Sequence, residues 1–228
     1  FINCQTTGGS GFGAGIYHND GRIEVRDSYF DNCNERAVFV VADETGSAAI
    51  FENCQFVDCR GYHGGAVVVG PRNGGTTIRR CTFMGNVDTG TGGGAVALSS
   101  FGPRLVEDCL FLFNQTIGLN GQGGAIRVGG AQTISRRCTF VGNHQSVTTG
   151  GAAVAFFQAG SIGSQLVNNI IANSTGSPAV WKSSATTITS ACNVFWQNAQ
   201  GNAGGTYVLG ATDRELDPLF CDPVGGDY

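Results

Sequence analysis

Charge is scarce in these 228 residues. Asp, Glu, Lys and Arg together make up 13% of the chain, about half the share of an ordinary globular protein. A net charge of −4 is too mild to hold the chain open, and 41% hydrophobic residues are too many for a disordered one. No basic stripe is present, which argues against nucleic acid as a partner. No run of about 18 apolar residues occurs, so no segment reads as a membrane-spanning helix. Nine cysteines contain no Cys-x-x-Cys pair, which leaves zinc and iron–sulfur ligation without support. The 3.6-residue apolar period of helical repeats is missing as well. No metal or cofactor is expected.

What the chain has in quantity is glycine, 37 residues, and phenylalanine, 15, and both recur at a fixed interval. One unit reads Cys-x-Phe-x-x-Asn, a variable stretch, then Gly-Gly-Ala and a short apolar segment. It occurs from Cys81 to Asn86, Cys109 to Asn114 and Cys138 to Asn143, with an earlier copy from Cys54 to Cys59. Weaker copies start at Asp27, Asn168 and Asn193, with Tyr29, Ile170 and Phe195 in the third place and Asn32, Asn173 and Asn198 closing. The four cysteines step by 81−54 = 27, 109−81 = 28 and 138−109 = 29 residues. The Gly-Gly-Ala copies, starting at Gly64, Gly93, Gly123 and Gly150, keep pace with them.

Segments this short, bounded by glycine and rich in Val, Ile, Phe and Thr, are strands. A strand that meets its own copy one repeat later stacks in parallel about 4.8 Å away. The fold class is therefore all-β: a right-handed parallel β-helix, a single-stranded solenoid of about eight turns of roughly 28 residues. Residues 1–228 read as one domain. Its opening, Phe1-Ile2-Asn3-Cys4, reads as mid-repeat and its close, Gly226-Asp227-Tyr228, as the start of a strand, so it is expected to be part of a longer chain.

Alternation turns the Cys54, Cys81, Cys109 and Cys138 column and the Phe56, Phe83, Phe111 and Phe140 column inward, with Gln55, Thr82 and Thr139 outward. Asn86, Asn114, Asn143, Asn173 and Asn198 are read as the bends, because asparagine tolerates left-handed backbone and can form an amide ladder. Asn114-Gln115-Thr116 and Asn173-Ser174-Thr175 match the glycosylation sequon, a weaker reading at structural positions. The glycine pairs are read as tight turns. Charged pairs before the cysteines, from Glu52-Asn53 through Arg79-Arg80 and Glu107-Asp108 to Arg136-Arg137, alternate in sign and suit a register-fixing ladder. Buried thiols are the favoured state of the cysteine column. Bridges, where they form, belong at corners such as Cys33–Cys59 or Cys192–Cys221.

The Phe-x-x-Asn motifs and Gly-Gly-Ala followed by Val or Ile resemble the repeats of chlamydial polymorphic membrane proteins, which are autotransporter adhesins. They are similar also to bacterial secreted proteins built from right-handed parallel β-helix repeats, whose late turns the tail Asp217-Pro218-Leu219-Phe220-Cys221-Asp222-Pro223 resembles. The resemblance implies a bacterial protein that is secreted or on the cell surface.

The pectin lyase-like fold also hosts polysaccharide lyases and glycoside hydrolases. A hydrolase needs paired carboxylates, and a lyase needs an acidic calcium cluster and a base. No Asp-Asp pair exists, Gly61-Tyr62-His63-Gly64-Gly65 is no Gly-His-Gly, and Asp43-Glu44 stands apart. Asp58, His63 and Asp88 are the one catalytic cluster to test. A second candidate is the outward column after Gly-Gly-Ala, read as Tyr17, Phe39, Val68, Ala97, Arg127, Val154 and Trp181. It is unusually apolar for a surface, and Tyr17, Phe39, Arg127 and Trp181 are its candidate binding residues. The reading is a non-catalytic, extracellular solenoid serving adhesion, glycan or partner binding, or spacing. A lyase or glycoside hydrolase on a polyanionic polysaccharide is the alternative, and only there would calcium enter. Expected partners are a glycan or a cell-surface protein, with self-association through the solenoid ends.

Overall fold

The structure, a computed structural model, describes residues 1–5, 13, 15–41, 48–70, 74–99, 102–130, 132–157, 161–184 and 186–221. Asp43-Glu44 and the tail from Asp222 onward lie outside them. Among the described residues each turn visits three long sheets in the same order, and every pairing is parallel. The first sheet has eight strands, among them Val67–Val69, Val96–Ser99 and Ile126–Gly129. The second has seven, including Gly75–Arg79 and Arg104–Glu107, and the third has eight, including Thr82–Met84 and Leu110–Leu112. A short fourth sheet of four strands, such as Val87–Asp88, is added in the central turns. The described strands thus make fewer complete turns than the eight expected, because the last strands of the first and third sheets have no counterpart in the second.

The core is a phenylalanine stack. Phe30, Phe56, Phe83, Phe111 and Phe140 have no solvent exposure, and Phe1 adds a sixth ring against Phe30. Successive centroids from Phe30 to Phe140 lie 4.8–4.9 Å apart with planes within 7° of parallel. That spacing is the distance between strands and exceeds the contact distance of carbon atoms, about 3.5–4.0 Å. Parallel rings held so far apart touch only when inclined to the stack, which gives the offset geometry that aromatic quadrupoles prefer.

Each end of the third sheet carries a corner, and each corner has the same two-residue device. The first residue has positive φ: Asn53 (54°), Arg80 (52°), Asp108 (54°) and Arg137 (52°) at one corner, Asp58 (50°), Gly85 (66°), Phe113 (54°) and Gly142 (65°) at the other. The second turns inward and accepts a hydrogen bond from the backbone of the preceding turn. Asn114 Oδ1 accepts from Asn86 N (3.1 Å) and Asn86 Nδ2 (2.9 Å), and Asn143 Oδ1 does the same for Asn114. Asn114 Nδ2 donates to Phe83 O, 2.9 Å away. Cysteine performs the same role: Cys81 Sγ accepts from Cys54 N, and Cys109 Sγ from Cys81 N, both at 3.5 Å. Higher up, Asn169, Asn193 and Asp213 continue the cysteine column as oxygen acceptors.

Asn86, Asn114 and Asn143 are therefore the ladder, and the left-handed bend is the residue before each of them. Asn173 is different: it holds the bend itself at φ 55°, while Ser174 occupies the ladder position and donates its N–H to Asn198 Oδ1 (3.0 Å). Two weaker repeat copies are displaced by one residue. Phe30, not Tyr29, pairs with Phe56, and Ile171, not Ile170, with Phe140. The first positions are accordingly Ser28 and Asn169, and Asp27 and Asn168 are left-handed bends. The fourth Gly-Gly copy is displaced too, since Gly123 bridges to Gly151. Asn114, fully buried and bonded on both sides, offers no amide for a sugar. All nine cysteines are free thiols, including Cys33, Cys59, Cys192 and Cys221.

The second glycine of each pair is a matter of space. A Cβ on Gly65, Gly94 or Gly124 would lie 1.9 Å from a carbonyl oxygen of the following turn, which no side chain tolerates. On the second sheet's edge, Glu52 meets Arg26, Arg79 and Arg80, and Glu107 meets Arg136 and Arg137 at 2.7 and 3.0 Å. Hydrogen bonding from Arg79 draws the Glu52 pKa down, and that from Arg137 does so for Asp108.

Candidate functional site

The outward face of the first sheet places its residues in one row. Tyr17, Phe39, Val68, Ala97, Arg127, Ala155 and Trp181 are successive partners. Ala155 replaces the expected Val154, which points inward with Ile126 and Val180, a consequence of the displaced fourth glycine pair. The row is no continuous apolar strip. Val68, Ala97 and Ala155 are small and buried, and large side chains gather at its two ends. At one end Tyr17 and Phe39 meet at 5.8 Å in a tilted pair. At the other, Phe157 stacks on Trp181 at 4.3 Å.

Between them lies a groove of about 240 Å³ lined by Arg36, Phe39, His63, Val68, Gly70, Thr91, Ser99 and Arg127. The Arg36 guanidinium sits 5.0 Å above the Phe39 ring, within cation–π range. Arg127 is oriented by its Nε, which donates to Gln122 Oε1 at 2.6 Å. His63 Nδ1 pairs with Thr91 Oγ1 at 2.8 Å on the rim. Burial lowers both guanidinium pKa values. His63 is lowered by burial and then by the charges of Arg36 and Arg127, so near neutral pH its ring is uncharged.

Of the three residues proposed as a catalytic cluster, the fold separates one and buries another. Asp58 is exposed at a third-sheet corner, in the wall of a different pocket with Cys33, Arg60 and Gly85. Asp88 is fully buried in the fourth sheet and accepts the Gly92 N–H at 2.8 Å. Desolvation pushes its carboxyl up to about 7, although the amides of Gly92 and Gly90 and the charges of Arg36 and Arg127 pull the other way. Only His63 reaches the groove. Of the proposed binding residues, Phe39 and Arg127 line it, while Tyr17 and Trp181 stand beyond it.

Arg36 was not singled out by the repeat, yet it fills the groove's floor with only 2% exposure. Its signal is a departure from pattern. Glu35-Arg36 precedes Ala37 where Gly-Gly precedes Ala66, Ala95 and Ala125, and Val38 pairs with Val67 in that register.

Among the described residues no group of three or more His, Cys, Asp or Glu is placed to hold a metal ion, and no helix is long and apolar enough to cross a membrane. Residues 1–103 match the family model of the right handed beta helix region. No curated protein and no solved structure matches the chain. Repeat and register together show the fold, an all-β parallel solenoid, and the family match over residues 1–103 agrees with it.

Proposed function

We propose that this β-helix is a non-catalytic solenoid of the cell surface or the extracellular space, an adhesin-like module that binds an acidic glycan in the groove between Arg36 and Arg127. The observation that carries the reading is the groove's composition: two guanidiniums, an aromatic face and three hydrogen-bonding side chains, with no carboxylate among the described residues that line it. Guanidinium matches a carboxylate or sulfate in two parallel hydrogen bonds. Phe39 offers an apolar face to a sugar ring, and Thr91, Ser99 and neutral His63 offer hydroxyl-scale partners. At about 240 Å³ the groove is smaller than ordinary small-molecule pockets of about 300–1,000 Å³. It takes one charged group with part of its sugar rather than a long stretch of chain.

The test is calorimetric titration with uronic or sulfated oligosaccharides against neutral ones of equal length. Binding confined to the acidic set, weakened by salt and lost in Arg127→Ala, is the expected result. Equal binding of neutral sugars, or Arg127→Ala binding like the parent, overturns it.

A second reading, lyase chemistry on a polyanionic polysaccharide, rests on one observation: two guanidiniums and a histidine line the same groove. Its signature is the ultraviolet absorbance of an unsaturated product, formed by the parent chain and not by Arg127→Ala.

A further inference from the structure

A glycan anchored by one charged group in the groove has its next sugar outside, and the rim decides where that sugar lies. His63 lines the groove, and its Nδ1 pairs with Thr91 Oγ1 at 2.8 Å. Tyr62, its neighbour in the chain, stands beside the groove: the two rings meet edge to face, with centroids 4.6 Å apart and planes at 81°. The Tyr62 backbone is fixed, since its carbonyl accepts the Thr91 N–H at 3.1 Å. Its position also depends on a glycine. A Cβ on Gly90 would lie 1.9 Å from the Tyr62 carbonyl oxygen and 2.9 Å from Cγ of its ring, a crowding that only glycine avoids. Yet 53% of Tyr62 is exposed, and it belongs neither to a strand nor to the core cluster. Among the described residues its hydroxyl has no hydrogen-bond partner. An aromatic ring placed this firmly and left in water is unexplained by stacking.

We propose that Tyr62 is the platform of a second sugar subsite, on which the residue next to the acidic sugar packs the apolar face of its ring. The inference rests on the acidic-glycan reading of the groove and adds the direction in which the chain leaves it. His63 and Thr91 come just before the strands Val67–Val69 and Val96–Ser99, so an exit over their rim runs across the solenoid axis, not along it. The C–H bonds of a sugar ring are weakly positive and meet the negative face of an aromatic ring, and their contact removes apolar surface from water. The Tyr62 hydroxyl is both donor and acceptor for the sugar's own hydroxyls. Other aromatic rings of this face are taken. Phe39 lies inside the groove beneath the Arg36 guanidinium, and Tyr17 leans on Phe39 at 5.8 Å. Trp181 stacks on Phe157, and its indole lies against Gly204 and Gly205, where an added Cβ would come within 3.0 and 2.9 Å of it. Tyr62 touches a groove residue, keeps a free hydroxyl and carries no ring stacked upon it.

The experiment titrates the full chain with two probes, glucuronic acid and the disaccharide that joins it to N-acetylglucosamine. The parent is expected to bind the disaccharide about three- to tenfold more tightly, the scale of one aromatic contact. Tyr62→Ala should bring the two probes to equal affinity, and Tyr62→Phe, which keeps the ring, should retain most of the ratio. Saturation-transfer NMR reads the contact itself: magnetisation from aromatic protons should reach the C–H protons of N-acetylglucosamine in the parent and not in Tyr62→Ala. Tyr62→Leu, which keeps apolar bulk without a ring, reads the same way should alanine loosen the loop. A ratio that persists in Tyr62→Ala and Tyr62→Leu overturns the inference, as does one that is lost in Tyr17→Ala instead; in both cases the groove reading stands. If neither probe binds the parent, the groove reading fails and the subsite falls with it.

Discussion

At the residue scale, the corners show two different demands laid on adjacent positions. The bend needs a residue at φ near +50°, which costs an ordinary L-residue about 1–2 kcal/mol. Phe113 meets it at 54° with half its surface exposed, whereas the equivalent positions one turn to either side are Gly85 and Gly142. The Phe113 ring lies over Gly142, so Phe113→Gly exchanges the relief of the bend for a half-buried ring and is expected to shift the urea midpoint little, within about 1 kcal/mol of zero at unchanged slope. The stack two residues earlier behaves differently. Phe111 touches a ring on each side and has no exposure, so Phe111→Ala should cost about 3–5 kcal/mol in the same assay.

At the scale of the element, the ladder makes asparagine and cysteine interchangeable in kind. Each side chain accepts the N–H of the turn before it, and the columns switch from one to the other along the molecule. Asn114→Ala strands the Asn86 N–H and the Phe83 carbonyl in a dry interior, at about 1–3 kcal/mol for each unsatisfied group. Asn114→Cys restores a sulfur acceptor and is expected to lose clearly less than Asn114→Ala in thermal unfolding; equal losses would show that the acceptor is not what matters. The same corner explains how far the sequence could be read. The repeat, the parallel sheets and the Phe56–Phe140 column were legible because Cys, Phe and Gly-Gly serve one purpose each. The outer copies slipped by one because bend and ladder are adjacent and both favour Asn or Asp. Asp27 and Asn168 read from sequence as inward residues, and the fold makes them bends. A one-residue slip in a strand moves every side chain to the other face, which is how Tyr29 displaced Phe30 and Val154 displaced Ala155. The groove was half legible: Phe39, Arg127 and His63 stood out by type, whereas Arg36 is visible only as a broken glycine pair.

At the scale of the whole molecule, stacking and binding meet at Asp88. Its carboxyl is buried under the groove, holds the loop amide of Gly92, and faces the charges of Arg36 and Arg127. Burial raises its folded pKa from 3.8 to about 7, so between those values the folded chain holds a proton that the unfolded chain has released. Stability is then fully present below the unfolded pKa and falls as pH rises towards 7, by at most about 4 kcal/mol at about 1.4 kcal/mol per unit. His63, a base whose pKa is lowered, acts in the opposite sense on the acid side, and the parent curve alone therefore does not isolate Asp88. Asp88→Asn does: the amide oxygen still accepts from Gly92, and the proton is gone from the balance. The variant should lose the decline between about pH 4 and pH 7 and equal or exceed the parent above it. Ionisation of Asp88 also sets a negative charge beneath two guanidiniums, so acidic-glycan affinity in the parent should weaken across neutral pH and stay flat in Asp88→Asn. A variant that keeps the parent's pH slope in both denaturation and binding would place the titrating group elsewhere and detach the groove from the solenoid's interior.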